Sequence, residues 1–433
     1  MLAEIEENND QDIKNNTSKR IDSIDYVKGF AIVWIVLAHA GLSWFDRDWK
    51  YVYGLVFAFL DVLGPSLFVF LSALSVVFSY KRKKGKISEK AIRNGILIRG
   101  GVIMIIGVLF NPVSLLTERT AIGFPANLWG WNILMFIGIS QILSYYAIKF
   151  NKKWRAVIGL LVIYFSPWIR DVLYEGKEAG NLLFIVLHFI VTSPLPQVPI
   201  FPYLAVCFIS TIFGEFLYEA MIKGTKESYY KLFRIFAIYG IVFVLVGIFL
   251  IVPRGVAFNI WEIGLSRVQP ALPGSPYYAP FPYHSSIGYI IRSEYLHIDL
   301  LAIANQQNYA HFDGMPIFMV RCTAHNMFYN LGVAFCLIAI CFYVIDIKKK
   351  KNDVIKLVLF YGKTSLSLFL IQYLFLPLYT GQFSIIFLPI AWVCYCGFLG
   401  LLMYVWLKYF GGVGSPEWIM RKIGSMGKNK KKS

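Results

Sequence analysis

The sequence predicts an all-α protein, a polytopic membrane bundle of about ten transmembrane helices with one re-entrant or interfacial outer segment. Three observations predict it. Hydrophobic residues make up 57% of the chain and charged residues only 15%, where a soluble domain carries about 25% charge. The apolar residues gather in runs near the ~20 residues that cross ~30 Å of hydrocarbon as a helix. Most of the 42 Lys and Arg fall in every second linker, namely 14–28, 81–93, 149–155, 223–234, 348–356 and 408–432. Positive charge is retained on the cytoplasmic side. The expectation is therefore a multi-pass protein of the cell (plasma) membrane with cytoplasmic N and C termini. The net charge of +17 is accounted for by linkers facing anionic headgroups of membrane lipid, with no nucleic-acid partner required.

The elements follow in order. Residues 1–20 are polar and read as a disordered cytoplasmic N-terminus. The first apolar run is then expected to target the chain to the membrane. Residues 21–410 form one transmembrane domain, and 411–433 a basic cytoplasmic tail. Ten runs qualify as spans: 26–45, 54–80, 96–116, 128–148, 156–174, 199–220, 234–252, 326–346, 357–379 and 384–408. The run 181–193 is too short to cross and is closed by Pro194, Pro196 and Pro199, so it is placed as the re-entrant or interfacial segment. The outer linker 253–325 is far longer than an ordinary connection and is rich in Pro and aromatics. It reads either as a platform whose Trp and Tyr rings stack on sugar faces or as an aromatic belt at the membrane interface. Cys207, Cys336, Cys341, Cys394 and Cys396 lie in apolar runs, where Cys behaves as a small hydrophobe.

Ionisable groups at membrane depth are costly, so each is a functional candidate. At ~1.5 Å rise per residue, His39 on span 1 and Asp61 on span 2 both lie ~10 Å below the outer face. The two spans are joined by a short linker and should be antiparallel neighbours. Asn111 on span 3, Asn132 on span 4 and Gln372 on span 9 fall within about a turn of that level. A neutral imidazole there can take a proton from a hydroxyl or amine, and a carboxylate on its other nitrogen fixes the tautomer. Asn side chains are candidate polar supports that donate to an oxyanion. The competing reading is a buried His–Asp pair that only locks two helices together. Glu215 near the inner end of span 6 reads as a group that snorkels to the interface. His188 reads as packing, and His325 as lining a substrate entrance. His284, His297, His311 and His325 lack regular ligand spacing, so no metal is expected.

Four stretches resemble a known family. The opening runs Arg20-Ile-Asp22-Ser-Ile-Asp25-Tyr-Val-Lys28-Gly29-Phe-Ala-Ile and reaches His39 at the outer end of the first helix. Asp61 stands four before Pro65 in the second helix. Arg93 to Arg99 leads through Gly107 to Asn111 in the third, and Phe360 to Gln372 forms the late helix. Together they are similar to the prokaryotic heparan-alpha-glucosaminide N-acetyltransferase-like family of the transmembrane acyltransferase (acyltransferase 3) superfamily. Lys28 stands where that pattern has Arg, and Gln372 where it commonly has His. The linker 44–53 has no His, which leaves His39 as the base.

The resemblance implies an integral membrane O- or N-acyltransferase. Acetyl-CoA or another acyl-CoA is the expected co-substrate, used from the cytosol. The acceptor is a sugar hydroxyl or amine of an extracytoplasmic or lipid-linked glycan, so a glycan or glycolipid is the expected partner. His39 is then the general base, Asp61 orients it, and Arg93 and Arg99 are the candidate CoA-phosphate contacts. The alternatives are a transporter or flippase, with the same polar level as a solute site, or a non-catalytic membrane protein of the same fold.

Overall fold

The computed structural model describes residues 21–44, 61–118, 125–192, 199–250, 318, 323–384 and 387–425. The helices, numbered here in chain order, are α1 Asp22–Trp44, α2 Pro65–Lys83, α3 Glu89–Glu118, α4 Ile133–Ala147, α5 Lys152–Glu178, α6 Leu182–Thr192, α7 Ile200–Lys223, α8 Lys226–Phe249, α9 Ala324–Phe342, α10 Asp353–Lys363, α11 Ser365–Gln372, α12 Leu388–Phe410 and α13 Pro416–Ser425. The chain is an all-α membrane bundle. Segments 1–20 and 426–433 and all but a few residues of loop 253–325 lie outside the described residues.

Local chemistry sets the helix starts. Asn132, Asn151, Thr225, Thr323 and Asn352 each accept a hydrogen bond from the backbone N–H three residues on, satisfying a donor that the first turn cannot pair. Pro65 opens α2, where a missing N–H costs nothing. The start of α1 is capped from afar: the Asp346 carboxylate accepts from the backbone N–H groups of Asp22 (3.2 Å) and Ser23 (3.1 Å). Asp346 lies in the π-helical turn Tyr343–Ile347 that ends α9.

Six helices are long and apolar enough to cross a membrane, or eight if each of two bent pairs is one span. The predicted runs 156–174 and 357–379 fall on the bent pairs. α5 turns by 54° between its two halves, and α10 meets α11 at 74°. The remaining predicted runs fall on α2 and on the shorter α4. α6 has only 11 residues and leaves Leu182, Leu183 and Val186 exposed.

The two ends of the bundle differ. At one end Glu89 of α3 accepts from Tyr145 Oη (2.9 Å) and pairs with Lys149 after α4. Glu215 of α7 pairs with Arg155 (3.1 Å) and Lys152 (3.5 Å) of α5 and with Lys81 (3.8 Å) of α2. These bonds gather the linkers 81–93 and 149–155 and the second half of α7 at one end, called the basic end below. Glu215 is buried, which corrects the snorkelling expectation: its charge is balanced by three cations, so it need not reach water. At the opposite end Trp44 Nε1 donates to Leu376 O (2.8 Å), and the Trp129 and Trp131 indoles donate to the α6 carbonyls of Phe189 and Ile190.

Between the ends, apolar packing closes the bundle. Phe213 and Phe335 pack tilted at 38° with centroids 4.3 Å apart. α3 meets α4 where Gly100 and Gly138 leave no room for a side chain, and α1 meets α10 at Gly29 and Gly362 in the same way. Small residues that let backbones touch drive helix association in lipid, where hydrophobic burial cannot.

Candidate functional site

α1 carries its polar side chains at two heights. Asp25 and Lys28 lie near the basic end, and His39 is roughly 20 Å further along the helix axis. A different piece of chemistry surrounds each height.

At the lower height, α1, α2, α3, α4, the broken pair α10–α11 and α13 surround an open cavity of about 210 Å³. Its lining is graded. Lys28, Arg99 and Lys363 bring three cations from three separate elements, with Asp25 and Glu417 as carboxylates. On each lining span the polar residue lies nearer the basic end than its apolar neighbour. Ser75 and Ser72 precede Phe68 in depth on α2, Arg99 precedes Ile103 on α3, and Gln141 precedes Ile133 on α4. The inner end of the cavity is therefore polar and cationic, and the far end is apolar.

The polar groups here are partly spoken for. Lys28 lies 3.8 Å from Asp25, and Gln141 Nε2 donates to Ser72 Oγ (3.2 Å). Glu417 of α13 accepts from the backbone N–H groups of Leu366 (2.9 Å) and Ser367 (3.0 Å) and from the Ser367 hydroxyl. It thereby caps α11 and holds the carboxy-terminal helix against the cavity. Arg99 is different. Its Nε is buried and makes no hydrogen bond to any described residue. A buried N–H with no acceptor carries a desolvation cost, which an anionic oxygen in the cavity would relieve.

At the upper height His39 is half-buried in a cluster of rings. Tyr373 Oη lies 3.4 Å from His39 Nε2, and the two ring centroids are 5.0 Å apart. Phe369 packs edge-on against His39 at 6.1 Å. Phe110 completes the cluster, 5.8 Å from Phe369 and 4.9 Å from Tyr373. Of these four rings only Phe369 also lines the cavity. One aromatic side chain thus separates the cationic cavity from the imidazole.

The other predicted residues sort by place. The backbone of Asp61 opens a short 3-10 turn, Asp61–Leu63, just before α2; its side chain lies outside the described residues, and so does its relation to His39. Asn111 and Asn132 meet each other, Asn132 Nδ2 donating to Asn111 Oδ1 at 2.7 Å. Asn132 Nδ2 also donates to Gly107 O (2.7 Å), and Asn111 Nδ2 donates to Leu128 O (2.9 Å) and Gly130 O (3.0 Å). All four amide hydrogens are used in tying α3 to the start of α4, which leaves none for an oxyanion. Arg93 is exposed, with its Nε directed at Asn94 Oδ1 (3.4 Å), whereas Arg99 lines the cavity. His325 is buried, with Nε2 2.8 Å from Leu250 O, which replaces the predicted entrance role with a link between α9 and the end of α8. Gln372 is fully buried, and its amide finds no partner among the described residues.

Sequence reading missed Tyr373, Phe369 and Glu417. Tyr373 follows Gln372, which was flagged, but nothing in spacing tells that its ring and not Gln372 meets His39. Glu417 sits in a segment read only as a basic tail.

Residues 20–251 match the family model described as heparan-alpha-glucosaminide N-acetyltransferase, catalytic. The match covers more than half of the chain and carries α1 to α8, including His39, Asp61 and Arg99. No curated protein matches the chain.

Proposed function

The chain belongs to the heparan-alpha-glucosaminide N-acetyltransferase catalytic family, a family of membrane acyltransferases, and on that premise we propose that it transfers an acyl group, acetyl in the first instance, from acyl-CoA to a glycan acceptor. The donor enters at the basic end, which is cytoplasmic by the charge asymmetry of the linkers. The acceptor is a hydroxyl or amine of an extracytoplasmic or lipid-linked sugar.

The observation that carries this reading is the graded cavity. Its 210 Å³ is below the roughly 300–1,000 Å³ of sites that enclose a whole drug-sized ligand. Only the acyl end and its pantetheine arm would enter, leaving the nucleotide phosphates at the cationic mouth. Lys28, Arg99 and Lys363 are the residues that would hold anionic oxygens there, Arg99 by charge-assisted bonds. The apolar far end suits an acyl methyl group.

The chemistry follows from the upper height. The acceptor oxygen or nitrogen attacks the thioester carbonyl while His39 Nε2 takes its proton. The C–S bond breaks as the new C–O or C–N bond forms, and the departing CoA thiolate recovers the proton from the imidazolium. Tyr373 Oη occupies the hydrogen-bonding position at Nε2 that the acceptor hydroxyl would take. Asp61, whose backbone lies in the turn just before α2, is the carboxylate proposed to orient the imidazole. Phe369 lines the cavity and packs edge-on against the base, so the acyl group and the imidazole approach each other past the edge of this ring.

Purified protein in liposomes, supplied with acetyl-labelled acetyl-CoA and a glycolipid extract of its host membrane, tests the proposal. Label is expected in the glycolipid fraction with release of free CoA. Label that stays on CoA in every fraction contradicts it.

A further inference from the structure

We infer that Phe369 sets the length of the acyl chain the cavity accepts. The inference rests on the reading of the cavity as the acyl-CoA site and adds to it the residue that measures the acyl group.

The geometry is specific. Phe369 is buried at the far end of the cavity. It shares that end with Phe68, Ile103 and Ile133, all apolar, so the part of a donor that arrives there is its hydrocarbon end. The ring is backed on its other side by Phe110 at 5.8 Å, Tyr373 at 5.7 Å and His39 at 6.1 Å. It cannot recede without displacing rings that are themselves buried or bonded to each other. Close-packed interiors transmit such a change and do not absorb it. The side chain is also fixed from below, because α11 begins at the 74° bend whose first N–H groups are held by Glu417. A short acyl group ends before the ring, and a longer one meets it.

The polar mouth and the apolar end place selectivity and affinity on different residues. Binding of the CoA portion depends on Lys28, Arg99 and Lys363, which Phe369 does not touch by any described bond. A substitution at Phe369 should therefore change which acyl group is held and leave the affinity for CoA itself nearly unchanged. A merely structural role for Phe369 would lower all affinities together.

The test is calorimetric and needs no acceptor. Full-length wild type, Phe369→Ala and Phe369→Leu in lipid nanodiscs are titrated with CoA, acetyl-CoA and hexanoyl-CoA, and their melting temperatures are recorded. Wild type is expected to bind acetyl-CoA at least as tightly as CoA and to bind hexanoyl-CoA more weakly. Phe369→Ala should hold CoA within about twofold of wild type and gain ~10-fold or more for hexanoyl-CoA, since each newly buried methylene adds to binding. Phe369→Leu should fall between the two, and it carries the test if the alanine variant does not fold. Unchanged preference between acetyl and hexanoyl thioesters in a folded variant overturns the inference and leaves the donor cavity standing. Wild type that binds none of the three thiols or thioesters overturns the donor cavity and the inference with it.

Discussion

Gly29 of α1 and Gly362 of α10 face each other where the two helices cross, and a Cβ on either would overlap the other helix's backbone at Val358 or Asp25. The crossing lies at the cavity: Gly362 itself lines it, together with Asp25 and Lys28 of α1 and with Lys363 and Ser365 at the 74° bend between α10 and α11.

Gly29→Ala and Gly362→Ala should each lower stability by ~1–3 kcal/mol, the usual cost of overpacking a close contact. Thermal unfolding in detergent checks this. Acyl-CoA affinity should fall with them, because α1 and α10 are forced apart at the cavity. A variant as stable as wild type would mean that the crossing relaxes without strain.

Glu215 presents a second stability test. It is the shared partner of Arg155, Lys152 and Lys81, and Arg155 is almost fully buried. Glu215→Gln should cost about 3–5 kcal/mol, since it leaves a buried guanidinium without its counter-charge. The double replacement Glu215→Leu with Arg155→Met should recover much of that loss. A single variant that melts with wild type would show that the network is solvated in the membrane protein.

The excess of Lys and Arg at the basic end predicts that this end faces the cytoplasm. Single cysteines placed in 83–86 should resist an impermeant thiol reagent in intact cells, and cysteines in 270–290 should react. The opposite labelling would put the basic end outside and remove cytoplasmic acyl-CoA from the mechanism.

His39→Ala should reduce acyl transfer by ~10²–10⁴-fold, the usual contribution of a positioned acid–base group. Acetyl-CoA binding should be retained, because His39 lies beyond Phe369 and outside the cavity lining. Tyr373→Phe, which removes only the hydroxyl 3.4 Å from Nε2, should have a smaller effect on turnover. Equal transfer by His39→Ala and wild type would return the imidazole to a packing role.

Much of the fold was legible because membrane crossing imposes its constraints residue by residue. Apolar length and charge alternation gave the run positions and the shared end of the basic linkers. They could not give the bends of α5 and α10–α11, because hydropathy is blind to backbone direction. Depth along a helix was also legible, and azimuth was not. Asn111 and Asn132 were placed at one level and do meet, but their hydrogens turn toward backbone carbonyls of Gly107, Leu128 and Gly130. Equal depth likewise could not tell that Tyr373 approaches His39. The most useful signal was an exception. Arg99 and Lys363 fall inside the apolar runs 96–116 and 357–379, against the linker rule, and both line the cavity, whereas Arg170 inside run 156–174 does not.

The central claim is that the cavity holds acyl-CoA through Arg99. Isothermal titration of acetyl-CoA into wild type, Arg99→Ala and Arg93→Ala tests it most directly. Arg99→Ala is expected to weaken binding by ~10-fold or more, as for a lost charge-assisted bond. Arg93, exposed and outside the lining, should matter far less. Acetyl-CoA that binds Arg99→Ala and wild type with equal affinity would contradict the claim and reduce the basic end to a topology signal.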